Sequence, residues 1–332
     1  MKICIIKLGA DGDVLRTLPL AKALKDKHKD AEITWITKGD VKSLIDNLSY
    51  IQNVSTIPYF GPDKFDLLYN FDIDETATSL AENISADKKY GFGKEGDYPI
   101  ALNSGASYYL NTLFDDELKK NNEKTYQEMM FMVAELNYKK ERYELVLNDV
   151  DKKYAEKFKS ENGLGNKKII GIHMGASSRW PSKVWAENKI IDFIKIANRE
   201  NFQVLLFGGP NEIESHKKLS NKLEKEGVNI FRNNPNNTKR EFASLLNLCD
   251  IALCSDSFSL HVSIGLGKKT ICLFFCTGYK EVEGYSILKK IVSPLMMNFF
   301  PEKMNEYNEE LVNSIGSKEV MQAVKEIVKS KA

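Results

Sequence analysis

A chain of 332 residues with 42% hydrophobic and 28% charged side chains is long enough for two domains and has the composition of a soluble globular protein. Its 47 Lys and Arg against 46 Asp and Glu give a net charge of +1, which excludes the basic balance of a nucleic-acid binder. No apolar stretch approaches the roughly eighteen residues needed to span a bilayer. The start M-K-I-C-I-I-K-L carries no cleavable signal, so a cytoplasmic protein is expected, with peripheral contact at the inner face of the cytoplasmic membrane left open.

In chain order, Ile3 to Leu8 is a short apolar run of the kind found in central parallel strands. A tight turn, Gly9-Ala10-Asp11-Gly12-Asp13, leads into a helix with Val14, Leu18 and Ala21 on one face. Strands are expected at Glu32 to Ile36, Val54 to Ile57 and Phe65 to Phe71, with helices at Val41 to Leu48 and through Ala77 to Ala81. This alternation predicts a doubly wound α/β domain. From Gly91 to Asn122 the pattern weakens, and Gly91, Gly93, Gly96 and Pro99 punctuate what reads as a long connection. A helix over Tyr126 to Leu136 follows, its methionines read as core filling.

Asp149 to Lys168 is charge-rich and reads as a helix followed by a linker, which divides the chain into domains at 1–160 and 161–332. A second α/β pattern then begins. Strands are expected at Ile169 to His173, Val204 to Phe207, Ile251 to Leu253 and Thr270 to Phe275. Helices are expected at Ser182 to Arg199, Ile213 to Leu223, Thr238 to Leu248, Ser259 to Leu266 and Lys318 to Lys331.

Three loops of the second half leave the carboxyl ends of strands, the edge where open α/β sheets bind ligands. In H-M-G-A-S-S-R-W-P-S-K, Gly175, Ser177 and Ser178 offer donors to a phosphate, and Arg179 and Lys183 offer charge. In F-G-G-P-N-E, Gly209 allows close approach; Glu212 either accepts hydrogen bonds from a ribose or serves as a first-turn acid. In C-S-D-S-F-S-L-H, Asp256 and Ser257 precede a helix whose N-terminus favours a phosphate, with His261 one turn in. The plainer alternative is that Asp256 or Ser257 caps the helix and His261 packs against it. Together the loops suggest a nucleotide-phosphate site. Asp13 has the same two readings: an N-cap, or a carboxylate placed to take a proton from a hydroxyl.

The five cysteines form no C-x-x-C pair, their number is odd, and most lie in or beside apolar runs, so neither a disulfide framework nor a metal site is expected. No G-x-G-x-x-G or P-loop pattern occurs either.

K-L-G-A-D-G-D-V-L-R-T-L-P, Lys7 to Pro19, resembles the N-terminal signature K-x-S-S-x-G-D-V-x-x-T-x-P of glycosyltransferase family 9, the bacterial heptosyltransferases. M-G-A-S-S-R-W-P, F-G-G-P-N-E and D-S-F-S-L-H-V-S-I-G-L-G resemble the later motifs of that family, in the same order. The resemblance implies a GT-B fold: two Rossmann-like doubly wound domains facing across a cleft, the first for the acceptor and the second for a nucleotide sugar. It implies that Asp13 is the general base, that Asp256, Ser257 and His261 form the donor motif, and that Glu212 binds the nucleoside. Lys7 and Arg16, within the same signature, are expected to contact the acceptor. Three positions depart from the family pattern. Phe258 stands where glycine is usual, Ser178 where lysine is frequent, and Ala10 and Asp11 replace serines.

The expected activity is metal-independent inverting transfer of a heptose or related sugar. The donor is a nucleotide sugar, ADP-heptose by resemblance, and no cofactor is expected. The acceptor is a glycan or glycolipid such as the lipopolysaccharide inner core, and the enzyme is expected to act as a monomer. The alternatives are a same-family transferase with another donor or acceptor, and a non-catalytic nucleotide-sugar binding protein.

Overall fold

The computed structural model describes residues 1–62, 64–175 and 179–329. The chain divides into two compact units, one of residues 1–146 with 280–283, the other of residues 147–279 with 284–332.

The first unit holds β1 (Lys2–Ile6), α1 (Asp11–Lys27), β2 (Glu32–Thr37), α2 (Lys42–Ile45), β3 (Asn53–Thr56), β4 (Lys64–Asn70) and α3 (Glu75–Asn83). It continues through β5 (Ser85–Glu95), β6 (Tyr98–Ala101), α4 (Ser104–Phe114), α5 (Asp116–Lys120) and α6 (Tyr126–Val133). The sheet order is β3-β2-β1-β4-β5-β6, parallel except for the antiparallel β5–β6 pair. Ile3, Cys4, Ile5 and Ile6 of β1 are fully buried, as expected for a strand covered on both faces.

The stretch from Gly91 to Asn122 is not the long connection its glycines suggest. β5 runs through it, Gly96 at φ +59° turns the chain into β6, and α4 and α5 follow. Gly91, at φ +94°, lies so close to the Asn70 carbonyl that a Cβ would stand 1.9 Å from its oxygen. The glycine marks close strand contact there rather than a loop.

The second unit holds α7 (Asp149–Glu161), β7 (Ile169–His173), α8 (Glu187–Arg199), β8 (Gln203–Phe207), α9 (Ile213–Glu224), β9 (Phe231–Arg232) and α10 (Lys239–Leu248). Then come β10 (Ile251–Ser255), α11 (Phe258–Gly265), β11 (Lys269–Phe274), β12 (Leu288–Val292), α12 (Glu309–Asn313) and α13 (Ser317–Lys329). All pairings in the order β12-β11-β10-β7-β8-β9 are parallel. α7 carries the charge-rich stretch Asp149–Glu161 and belongs to this unit, held by Arg240 of α10 against the Asp151 carboxylate. The helix expected from Ser182 starts only at Glu187. Pro181–Lys183 forms a separate short turn, because the Ser182 hydroxyl bonds the Glu306 carbonyl at 2.7 Å and the Asn308 N–H at 2.9 Å.

Both sheets share one plan. In each unit the first and fourth strands are central neighbours, β1 beside β4 and β7 beside β10, and the chain winds outward on either side. Such a reversal of strand order leaves a crevice at the carboxyl edge between the two strands. The candidate residues that follow β1, β4, β7 and β10 lie at these edges.

Candidate active site

In the first unit, β1 ends at Ile6 and α1 begins at Asp11, so Lys7 to Ala10 form the turn over the reversal point. Lys7 is 3% exposed; its Nζ donates to Asp72 Oδ1 at 2.5 Å and to the Phe71 carbonyl at 3.2 Å. The other Asp72 oxygen accepts from the Leu8 N–H and from the Gly9 N–H at 2.7 Å. Asn70, fully buried, holds Asp72 from behind: its Oδ1 accepts from the Asp72 N–H at 3.1 Å, and its Nδ2 donates to the Asp72 carbonyl at 2.9 Å. Burial alone would push the Lys7 pKa down. Asp72 foremost, with Tyr126, Asp13 and Tyr109, reverses this and holds the ammonium well above the ordinary lysine value.

Asp13 lies in the first turn of α1, its carboxylate 2.8 Å from Arg16 Nη2. The Arg16 guanidinium stacks 3.6 Å over the ring of Tyr126, the first residue of α6. Tyr126 is fully buried, and its hydroxyl shares a hydrogen bond with Thr17 Oγ1 at 3.1 Å. A capping box of Thr125 and Glu128 fixes the start of α6 and so the place of Tyr126. The two residues expected to bind an acceptor, Lys7 and Arg16, are thus engaged with Asp72 and Asp13.

In the second unit, the loops after β7, β8 and β10 share the carboxyl edge, since these strands are parallel neighbours in the order β10-β7-β8. Ser177 and Ser178 lie outside the described residues. Gly175 lies between two functional groups: a Cβ there would meet Glu212 Oε1 at 3.1 Å and His173 Cε1 at 3.3 Å. Glu212 Oε2 accepts from the Gly209 N–H at 2.8 Å, so the carboxylate closes its own turn. Asn233 pins Gly208 by accepting from its N–H at 2.9 Å and donating to its carbonyl at 3.1 Å. Beside this loop an open cavity of about 400 Å³ is lined by Gly208, Gly209, His216, Arg232 and Asn233 among others.

Lys183 is buried and reaches the loop after β10, its Nζ donating to the Asp256 carbonyl at 2.9 Å and to Asp256 Oδ2 at 3.2 Å. Lys183 Nζ also stands 4.4 Å from the centre of the Trp180 ring, and the exposed Arg179 guanidinium stands 4.9 Å from it. Ser257 occupies the N-cap position of α11, but its hydroxyl bonds Ser259 Oγ at 2.9 Å rather than a helix N–H. His261 is buried within α11. Phe258 packs against Phe242 with ring centres 5.7 Å apart, and Phe242 in turn contacts His173 and Phe207.

A heptosyltransferase model, glycosyltransferase family 9, matches residues 61–310. The chain belongs to glycosyltransferase family 9. It is 23% identical over 310 residues to a lipopolysaccharide core heptosyltransferase, OpsX, of Haemophilus influenzae, covering 88% of this chain and 84% of that protein. A solved family 9 glycosyltransferase from Veillonella parvula superposes with a TM-score of 0.77 at 17% identity, covering 99% of this chain and 97% of the other. E. coli ADP-heptose lipopolysaccharide heptosyltransferase II gives a TM-score of 0.74 at 16% identity, covering 99% and 98%. The fold is therefore GT-B, and the chain is a glycosyltransferase of the heptosyltransferase family.

Three residues that hold the candidate site residues Lys7 and Arg16 lie outside the sequence motifs: Asp72, Asn70 and Tyr126. Asp72 stands one residue beyond the apolar run Phe65 to Phe71, and its position after a strand neighbouring β1 is the only signal for it. Tyr126 reads as an ordinary helix start, and nothing local marks its contact with Arg16.

Proposed function

We propose that this chain transfers heptose from ADP-heptose to a hydroxyl of the lipopolysaccharide inner core, with inversion at the anomeric carbon. Asp13 takes the proton of the acceptor hydroxyl, whose oxygen forms a bond to the anomeric carbon as the bond to the diphosphate breaks. ADP leaves with the electron pair. The observation that carries this reading is the placement of Asp13 in the first turn of α1, directly after the crevice turn of the first sheet and beside Arg16. A carboxylate so placed is suited to general-base work.

The second unit supplies the donor side of the proposal. The N-terminus of α11 and the Lys183 ammonium offer positive charge to the departing diphosphate. Gly209 and Glu212, beside the cavity after β8, suit the nucleoside. Phe258, where the family pattern has glycine, adds an aromatic face to this region by packing on Phe242. The donor and acceptor are those named for the relatives. Transfer needs no metal, and the only small molecules required are the two substrates.

The experiment is transfer from ADP-heptose to a heptose-deficient lipopolysaccharide core, followed by ADP release and product mass. D13N should lower the rate about 10²–10⁴-fold while ADP binding, measured by calorimetry, is retained. A rate within a few-fold of wild type would remove Asp13 as the base. Binding of ADP-heptose without acceptor-dependent ADP release would instead mark a non-catalytic binding protein.

A further inference from the structure

We propose that Asp72 is a positioning residue for the Asp13 carboxylate, acting through the Leu8–Gly9 turn and the Lys7 ammonium. This rests on the assignment of Asp13 as the base.

The geometry is that of a clamp. A single buried carboxylate, 8% exposed, accepts two consecutive backbone N–H groups, Leu8 and Gly9, and the side chain of the residue before them. Those N–H groups sit where β1 has ended and α1 has not begun, so neither strand nor helix satisfies them. The next residues are Ala10, which opens α1, and Asp13 in its first turn, whose N–H bonds the Ala10 carbonyl at 2.8 Å. Fixing Leu8 and Gly9 therefore fixes where α1 starts and where Asp13 stands. Gly9 shows how tight the clamp is. A Cβ at Gly9 would stand 2.8 Å from Asp72 Oδ1 and 3.1 Å from Lys7 Nζ. Asp72 is itself held on both sides of its backbone by Asn70, which also donates to the Phe92 carbonyl of β5 at 2.7 Å. The carboxylate is anchored to the sheet, and the turn is anchored to the carboxylate.

Lys7 adds the electrostatic part. The groups that face its ammonium are Asp72 after β4, Asp13 of α1, Tyr109 of α4 and Tyr126 of α6. Arg16 pairs with Asp13 at 2.8 Å and stacks over Tyr126, whose ring centre Lys7 Nζ also approaches at 5.9 Å. Asp13 thus faces two cations, Lys7 held by Asp72 and Arg16 stacked on Tyr126. With Asp72 neutralised, burial acts on Lys7 with its main counter-charge gone, and its pKa falls. In wild type Lys7 stays charged through the working range. In D72N it loses its proton as pH rises.

The test compares D72N, K7M/D72N and wild type from pH 6 to 9. D72N should lower kcat about ten- to a hundred-fold, with KM for ADP-heptose changed less than about twofold. Its deficit should deepen as pH rises. Its melting temperature should also climb with pH relative to wild type, because a folded Lys7 with a depressed pKa is more stable unprotonated. K7M/D72N has no buried ammonium; it should keep the low kcat and lose both pH dependences, and it serves where D72N fails to fold. A kcat for D72N equal to wild type overturns the proposal. A deficit without pH dependence in either rate or melting also overturns it, leaving Asp72 as scaffold only. D13N tests the base assignment separately. If wild type releases no ADP from ADP-heptose, the melting profiles alone decide whether Asp72 holds the Lys7 charge.

Discussion

Lys183 joins the turn after Trp180 to the loop after β10, bonding both the carbonyl and the carboxylate of Asp256. The first unit repeats the relationship, with Lys7 after β1 bonded to Asp72 after β4. In both units the lysine follows the first strand and the aspartate follows the fourth, and those strands are neighbours at the reversal of strand order. At that point the flanking elements diverge, and a charge-assisted contact ties the two loops together. The pair in the first unit is the more deeply buried, with side-chain exposures of 4% and 9% against 10% and 19%.

The Lys183 pair bears on donor binding. Its ammonium is fixed by Asp256 and the Trp180 ring, whereas Arg179 is exposed. A charge already held in place loses less entropy when a diphosphate arrives. K183A should therefore lose about ten- to a hundred-fold in ADP affinity, as expected for a charge-assisted contact of roughly 1.5–3 kcal/mol. R179A should lose clearly less. Calorimetric titration at low salt, with a melting curve for each variant, separates lost affinity from lost folding. Loss confined to R179A reverses the assignment.

Tyr126 should separate into two roles. Y126F removes the hydroxyl shared with Thr17 but keeps the ring under Arg16. About 1 kcal/mol of stability is expected to go with that hydrogen bond. Y126A removes a fully buried aromatic ring, with a loss of about 3–5 kcal/mol. Urea titrations give both values. Equal losses would mean that the hydroxyl, not the ring, carries the contribution.

Much of the fold is legible because parallel strands buried on both faces read as continuous apolar runs; Ile3 to Ile6 and Ile251 to Leu253 are examples. β12, L-K-K-I-V, and β9, two residues long, lack that signal because they lie at sheet edges. β5 is hidden for another reason. Its glycines serve close backbone approach to β4 and Leu102, yet as residue types they read as loop. At the site, the motif residues Asp13, Glu212 and Asp256 are visible because they lie in the loops and first helical turns that follow strands. Asp72 and Tyr126 are not, because their importance comes from contacts with residues about 64 and 110 positions away, as in Asp72–Leu8 and Tyr126–Thr17.

Metal dependence has a direct test. Among the described residues no three His, Cys, Asp or Glu side chains are placed to hold an ion. Transfer in excess EDTA should stay within about twofold of the untreated rate, the diphosphate charge being met by protein donors. A loss restored by magnesium or manganese would assign a metal to the reaction.

Acid should destabilise the second unit through His173 and His216. His173 ends β7, and among the described residues its buried Nδ1 has no hydrogen-bond partner. Its pKa is pushed down to about 4, by burial first and then by His216. His216, in α9, is likewise pushed to about 4 by burial and by Arg232. In an unfolded chain both return to about 6.5. Between those values the unfolded chain binds protons that the native state does not, so stability falls as pH falls from about 6.5 toward 4. For His173 the loss between pH 7 and pH 5 is about 2 kcal/mol; His216, more open to solvent, should contribute less. Denaturant titrations at the two pH values measure the total. H173M keeps the bulk against Phe242 and removes the titrating group, so its acid sensitivity should shrink by the His173 share. An H173M profile with the wild-type slope would show that His173 is not held neutral, and the acid lability would then belong to other groups.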